Sequence, residues 1–342
     1  MKHLLLFVIA VNFMYTADDE KPDARVTANL VYSPNTKTLL LIDGYTKHPA
    51  DGKNNVYSWD GKEWKKIYAA GPETKSLSTA ALDTKSKNIV VFGGVASKGY
   101  QSLRGDAWQF NGMQWQQVNT NNIGTRDHDK IVYAANLDAF VMYGGQNEQR
   151  ATDSSTWILK NGEWKEMKIE GPGSRFHFGM CYDAARQKVV LYGGYNLQGL
   201  QQDTWEFDGT KWKKITIEGP GPRGRFSMVY DESRKLVILY GGDVWKKKVD
   251  TTVNADGEIW DVREDTWGWD GNNWKKISDN GPQRMLAALG YDPLRKKLVL
   301  FGGGDANEND YADTWEFEND KWIKLSDNGT WKWNGNDYEK VK

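Results

Sequence analysis

Short apolar runs recur along this chain roughly every fifty residues, and each run ends in a pair of glycines. The runs are almost continuously hydrophobic, as in Val-Val-Leu-Tyr at 189–192, which is typical of a strand covered on both faces. The closing pairs are Gly93-Gly94, Gly144-Gly145, Gly193-Gly194, Gly241-Gly242 and Gly302-Gly303, and the first copy has Asp43-Gly44 in this place. Ten residues before each pair's first member stands Ser33, Asp83, Ala134, Asp183, Asp231 or Asp292, usually after a tyrosine.

Each glycine pair is followed by a stretch of variable length and then by two aromatic residues seven positions apart. These pairs are Tyr57 and Trp64, Trp108 and Trp115, Trp157 and Trp164, Trp205 and Trp212, Trp267 and Trp274, and Trp315 and Trp322. Between the aromatic residues lies Asp60-Gly61, Asn111-Gly112, Asn161-Gly162, Asp208-Gly209 or Asp270-Gly271, with Asn319-Asp320 in the sixth copy. Such residues tolerate the positive φ of a two-residue turn, so we expect a tight hairpin in every copy.

One copy therefore predicts four short strands, for example at 178–182, 189–192, 204–207 and 212–215. A four-stranded sheet that is buried on both faces needs neighbouring sheets. Radial stacking around an axis supplies them and leaves only short edges. Stacking into a solenoid is the alternative, but the terminal copies lack a polar capping pattern. The predicted fold is an all-β propeller of six four-stranded blades, with seven possible if the C-terminal residues contribute one.

The glycine pairs and the spaced aromatic residues resemble the kelch repeat. The segment Asp-Thr-Trp-Glu-Phe-Asp-Gly at 203–209 is similar to the bacterial, galactose-oxidase-like form of this repeat. The resemblance covers residues 25–325 and implies a propeller. It does not imply one function, because kelch proteins include scaffold proteins, glycan binders, a sugar mutarotase and oxidases.

The chain ends suggest one propeller domain behind a leader. Residues 1–17 have the basic start and apolar run of a signal peptide, although a small-x-small cleavage pattern is missing and a buried strand is the alternative. The remaining 18–342 are expected to form a single domain, with repeats at about 25–67, 75–118, 126–167, 175–215, 223–277 and 284–325. Residues 329–342 contain half a repeat, which could complete a seventh blade, pair with the first blade or form a tail.

Composition narrows the range of functions. The 342 residues include 45 basic and 46 acidic side chains, so the basic surface expected for nucleic-acid binding is missing. The N-terminal apolar run is too short to span a bilayer, and nothing later in the chain offers 18 uninterrupted apolar residues, so membrane insertion is not expected. The single cysteine, Cys181, excludes an internal disulfide. The copper centre of galactose oxidase is not expected either, because only His48, His128 and His177 remain beyond the leader and Cys181 falls within an inner strand as a packing residue. A calcium loop at Asn254–Gly257 lacks the other carboxylates it would need. We expect no cofactor and no metal. We expect the protein to be a monomer.

Two sets of residues are candidates for ligand binding. Every repeat has a basic residue eight positions before its Asp-type position, and these are Arg25, Lys75, Arg126, Arg175, Arg223 and Arg284. They either bridge to neighbouring carbonyls or form a basic collar, in which Arg126, Arg175 and Arg223 would bind ligand. Two positions further on, the repeats differ, with Thr27, Leu77, His128, His177, Arg225 and Leu286. The kelch resemblance implies that this position lines the channel mouth, where His128, His177 and Arg225 would together bind an anionic group.

The loop between the second and third strands of the fifth copy is the longest, and it contains Trp245 and Trp260. Variable loops on a rigid scaffold commonly carry binding residues, so we expect both tryptophans to contact a ligand. The sequence favours an exported, non-enzymatic binding or scaffold protein that recognises a protein or glycan through one face. The alternative is a mutarotase or lyase that acts on carbohydrate in the axial pocket.

Overall fold

The regular structure of this protein consists of strands. The structure is a computed structural model, and it describes residues 21–46, 56–96, 102–119, 123–247, 258–333 and 338–341. The strands form six large antiparallel sheets whose inner strands follow one another around an axis. The inner strand of the first sheet contacts that of the sixth, so the sheets form a closed ring. The expected signal peptide, residues 1–17, lies outside the described residues.

The first three blades contain the strands that the repeats predict. The first blade consists of β1 (Asn29–Ser33), β2 (Thr38–Ile42), β3 (Val56–Trp59) and β4 (Trp64–Ile67). The second consists of β6 (Thr79–Leu82), β7 (Ile89–Phe92), β9 (Ala107–Phe110) and β10 (Trp115–Val118), while β5 (Lys75–Ser76) pairs with β8 (Val95–Ala96). The third consists of β11 (Lys130–Ala134), β12 (Ala139–Tyr143), β13 (Thr156–Lys160) and β14 (Glu163–Met167).

The other three blades repeat this order and carry additional short ribbons. The fourth consists of β15 (Gly179–Asp183), β16 (Lys188–Tyr192), β19 (Thr204–Phe207) and β20 (Trp212–Ile215), with β17 (Tyr195–Asn196) paired to β18 (Gly199–Leu200). The fifth consists of β21 (Ser227–Asp231), β22 (Leu236–Tyr240), β25 (Thr266–Trp269) and β26 (Trp274–Ser278), with a ribbon of β23 (Asp243–Lys247) and β24 (Glu258–Val262). The sixth consists of β27 (Ala288–Asp292), β28 (Lys297–Phe301), β29 (Asn309–Glu318), β30 (Lys321–Trp333) and β31 (Tyr338–Val341).

The second strand of each blade is apolar because the blade has a neighbour on both sides. In β16, Val189 and Leu191 pack against the third blade. The alternating residues, Val190 and Tyr192, pack against the fifth blade. Successive side chains of a strand point to opposite faces, so both faces of this sheet are inside the protein. This confirms the prediction of an all-β propeller of six four-stranded blades.

The predicted two-residue turns are present only in the third and sixth blades. There Lys160 pairs with Glu163 and Glu318 pairs with Lys321, leaving two residues in each turn. The other four hairpins have four-residue loops, as between Phe207 and Trp212. In these loops a side-chain oxygen of the first loop residue (Asp60, Asn111, Asp208 or Asp270) accepts hydrogen bonds from the amides two and three residues later. In three of these loops the first residue's amide also donates to the carbonyl of the fourth, so the side chain adds to the backbone bond that closes the turn.

A buried tryptophan on the outermost strand joins most blades to the preceding one. Its indole nitrogen donates a hydrogen bond to a threonine hydroxyl on the neighbouring blade's third strand. These bonds run from Trp64 to Thr314, from Trp212 to Thr156, from Trp274 to Thr204 and from Trp322 to Thr266, over 2.8–2.9 Å. The first of them joins the first blade to the sixth and so closes the ring.

Two interfaces lack this acceptor. The equivalent position is Val56 in the first blade, which packs with Trp115, and Ala107 in the second, which packs with Trp164. Within the described part of the chain, the Trp115 indole nitrogen is buried without a hydrogen-bond partner. The contacts between the first three blades therefore depend more on apolar packing than the others do.

The C-terminal half repeat belongs to the sixth blade and does not begin a seventh. Strand β30 continues to Trp333 and pairs there with β31, so the sixth sheet gains a fifth strand. Trp331 packs on the apolar cluster that the sixth blade shares with the first. No helix in the described part of the chain has the length and hydropathy needed to cross a membrane.

The Trp–Thr bonds make a testable contribution to stability. Thr266→Val keeps the shape of the side chain but leaves the Trp322 indole nitrogen without its acceptor, so we expect the free energy of unfolding to fall by about 1–3 kcal/mol. Urea denaturation measures this. The reciprocal change, Val56→Thr, offers Trp115 an acceptor and is expected to cost less than Thr266→Val. Equal losses for the two variants would contradict the role of the bond.

Candidate functional site

Six residues with left-handed backbone, one from each blade, form a ring at the axis (the axial ring). They are Thr27, Leu77, His128, His177, Arg225 and Leu286, with φ between 53° and 60°. A non-glycine residue pays roughly 1 kcal/mol or more for this conformation. Because all six blades adopt it, the conformation belongs to the fold. It turns the chain from a bridge, such as that between Phe176 and Tyr195, into the inner strand.

Backbone hydrogen bonds join the axial ring from one blade to the next. The amide of Arg225 donates to the carbonyl of His177 over 3.0 Å, and that of Leu286 donates to Arg225 over 2.7 Å. The amide of Thr27 donates to Leu286 over 2.9 Å, which carries the ring across its closure. These bonds fix the backbone on which the ring side chains are mounted.

All six ring residues line a cavity of about 430 Å³. The cavity extends along the inner strands as far as Glu232 and Pro293, which lie in turns between the first and second strands of their blades. It is therefore an axial channel, with the axial ring at one end. The buried Cys181 lines the channel wall, as befits a packing residue.

The two candidate histidines lie in contact at the channel mouth. Their ring centroids are 4.2 Å apart, with the rings almost perpendicular. His128 Nδ1 is 2.8 Å from a carboxylate oxygen of Asp127, which is fully buried. The sequence thus assembles a row of carboxylate, imidazole and imidazole from adjacent blades.

Arg225 brings the second candidate set to the same place. Its guanidinium carbon lies 4.2 Å from the centre of the Trp260 ring, and its Nη1 is 3.3 Å from the buried carboxylate of Asp243. The Tyr195 hydroxyl donates to the same carboxylate over 2.8 Å. The ribbon of β23 and β24 therefore places Trp260 at the channel mouth. Trp245 is the ladder partner of Trp260, and its side chain lies outside the described residues.

Two further charged residues at this end were not predicted from the sequence. Lys130, on β11, lines the cavity. Asp129 lies beside it, is buried, and has no hydrogen-bond partner for either carboxylate oxygen among the described residues. Burial raises the pKa of Asp129 to about 7, against the lowering effect of Arg126. The sequence does set Lys130 apart, because the other repeats have uncharged residues at this position. These are Asn29, Thr79, Gly179, Ser227 and Ala288.

Basic residues line the cavity at the mouth, and the carboxylates nearest to them do not. Side chains of His128, Lys130, His177 and Arg225 line the cavity, whereas Asp127, Asp129 and Asp243 lie behind its wall. Burial lowers the pKa of His177 well below its ordinary value, and the nearby charges of His128 and Arg225 lower it further. His177 is therefore neutral at pH 7. As the pH falls through about 6.5, the unfolded chain gains a proton at this residue that the folded chain does not, which lowers stability.

The arginines at the basic position of the repeats have a different environment from the residues of the axial ring. Arg175 and Arg223 are buried and pair with Asp203 and Asp265 of their own blades at 2.9 and 2.7 Å, and both also donate to backbone carbonyls. Arg126 pairs with Asp153 at 2.9 Å. None of the three lines the axial cavity. This geometry favours their bridging role, with partners in the same blade, over a basic collar.

Among the described residues, no three His, Cys, Asp or Glu side chains are placed so that they could hold a metal ion. His48 and the loop at 254–257 lie outside the described residues.

Comparison with known proteins supports the fold. No family model and no curated protein matches the sequence. The solved structure titled "Structure of YjhT" is similar, with a TM-score of 0.69, 14% sequence identity, and coverage of 90% of this chain and 99% of that chain. At this identity the likeness shows the fold alone. Fold and cavity together define a six-bladed β-propeller whose axial channel has a basic mouth.

The role of the buried arginines can be separated from ligand binding by mutation. Arg223→Met leaves the Asp265 carboxylate buried without its cation, so we expect the free energy of unfolding to fall by about 3–5 kcal/mol. Adding Asp265→Asn removes the uncompensated charge and should restore part of the loss, which thermal or urea denaturation would show. If Arg223→Met left stability unchanged, the bridging role would be wrong.

Proposed function

We propose that this protein is an exported binding protein of the kelch type, which holds an anionic group of a peptide or glycan at the channel mouth. The observation that carries the proposal is the arrangement of hydrogen-bond donors there. Four basic side chains line the cavity, and the nearby carboxylates are buried behind them. A carboxylate entering the mouth would meet hydrogen-bond donors from several blades without first displacing an acidic side chain from the cavity.

Arg225 is the residue most suited to bind such a group. Asp243 and Trp260 fix the orientation of the guanidinium from two sides, and its side chain remains 22% exposed. A guanidinium held in this way loses little conformational entropy on binding, and it can form paired hydrogen bonds to a carboxylate. Trp260 adds a partly exposed aromatic surface beside the charge, which suits the apolar part of a peptide or the face of a sugar ring.

A second candidate is an enzyme of the mutarotase or lyase type that acts on carbohydrate in the channel. The row of Asp127, His128 and His177 favours it. A carboxylate orients the first imidazole, and the second imidazole is neutral because burial lowers its pKa. A neutral imidazole in a cavity can accept a proton from a bound substrate. Turnover of a ligand found by binding would distinguish this candidate.

The binding proposal predicts which residues determine affinity. Peptides with free carboxylates and acidic glycans, displayed on arrays, would identify a ligand, and calorimetric titration would then measure its affinity. Arg225→Gln removes a charged donor, so we expect affinity to fall at least about tenfold. The matched control is Arg104→Gln, which removes a guanidinium from an exposed pair with Glu73. A hit that Arg225→Gln binds as tightly as the unchanged protein would refute this site.

The same site predicts a pH dependence. A bound anion favours the charged form of His177 and so raises its pKa relative to the free protein. The complex then holds more protons than the free protein, and affinity increases as the pH falls from 7.5 to 5.5. Titration in buffers of different ionisation enthalpy would detect the proton uptake. Asp129, whose pKa is about 7, also takes up protons in this range, so His177→Gln should reduce the uptake without abolishing it, and unchanged uptake in that variant would show that His177 is not involved.

A further inference from the structure

Lys130 has an unusual position for a lysine. Its side chain is partly buried and lines the axial channel together with His128, His177 and Arg225. Within the part of the chain that the structure describes, its amine makes no hydrogen bond and no ion pair. Buried or half-buried lysines normally have an acceptor, as Lys75 has in Asp106 at 2.8 Å. An amine that lacks one in a cavity is available to a molecule that enters the cavity.

The surroundings of Lys130 favour the uncharged amine, which is the nucleophilic form. Removal from water lowers its pKa, and the only opposing charge of note is that of Asp129. Asp129 compensates weakly, because burial raises its own pKa to about 7 and leaves it partly protonated at neutral pH. Desolvation and nearby cations are the two means by which proteins activate lysine amines for reaction with carbonyl groups.

We propose that Lys130 forms an imine with aldehydes or ketones that enter the channel mouth, and that carbonyl compounds bearing a carboxylate react best. The Nζ lone pair attacks the carbonyl carbon, and the carbon–oxygen bond is then lost. The oxygen leaves as water, with both hydrogens supplied by the amine, so one carbonyl and one amine give one imine and one water. This reactivity goes beyond the proposed binding function. Only the preference for a carboxylate rests on that function.

Reductive trapping tests the proposal. The full chain is treated at pH 7 with cyanoborohydride and either propanal or glyoxylate, and the rate of modification at each lysine is measured by peptide mass spectrometry. The reference residue is Lys213, which is exposed on β20. We expect propanal to modify Lys130 at least about tenfold faster than Lys213, and glyoxylate to increase this ratio. Modification of the whole protein should therefore begin with a fast phase that comes from Lys130, and the Lys130→Met variant should lack this phase.

The two reagents separate the two proposals. If Lys130 reacts no faster than Lys213 with either reagent, the imine proposal is wrong, even if calorimetry shows that anions bind at the mouth. If propanal modifies Lys130 rapidly but Arg225→Gln does not reduce the advantage of glyoxylate, the amine is reactive and the anion site is wrong. Loss of only the glyoxylate advantage in Arg225→Gln supports both.

Discussion

The contact between one blade's outer tryptophan and the preceding blade's third strand determines the shape of this protein. Each blade is a sheet with two apolar faces, and it is stable only when both faces are covered. The indoles of Trp64, Trp212, Trp274 and Trp322 cover the neighbouring blade and donate a hydrogen bond to it. The bond from Trp64 to Thr314 turns a row of blades into a closed ring. Only a closed ring brings one residue of every blade to a common axis.

The candidate site follows from that geometry. Positions where all the repeats agree have a structural explanation, as the arginine–aspartate pairs of Arg175 and Arg223 show. Positions where the repeats differ meet at the axis and form a surface that is not symmetric. His128, His177 and Arg225 come from consecutive blades, and the left-handed backbone of the axial ring holds them there. The fold thus supplies the positions, while differences among the repeats supply the chemistry.

Much of this architecture could be predicted from the sequence, because it is repeated. The glycine pairs, the apolar runs and the aromatic spacing together gave the six blades and the strands within them. The length of the hairpin turns was not predictable in this way. It depends on whether the Asp or Asn that begins the turn accepts hydrogen bonds from nearby backbone amides, or whether the two strands form one more residue pair. The C-terminal segment had the pattern of half a repeat whose place in the propeller was left open, since pattern alone does not show that β30 runs on without a break.

The site was predicted in part. His128, His177, Arg225 and Trp260 meet at the mouth, and the cation–π contact between the last two could not be read from the sequence because a loop of variable length separates them. The arginines of the proposed collar were considered as ligands because their burial was not visible. Lys130 lies two residues beyond the ring positions, and only a comparison of the repeats at that place sets it apart from Asn29, Thr79, Gly179, Ser227 and Ala288.

The central claim is that the channel mouth accepts an anion. The most direct measurement is the anomalous diffraction of crystals soaked in bromide, which locates an anion without assuming any ligand. The account predicts a bromide site among Arg225, His177 and Lys130, and its loss in crystals of Arg225→Gln. Bromide found on the outer surface of the blades, with none at the mouth, would contradict the account.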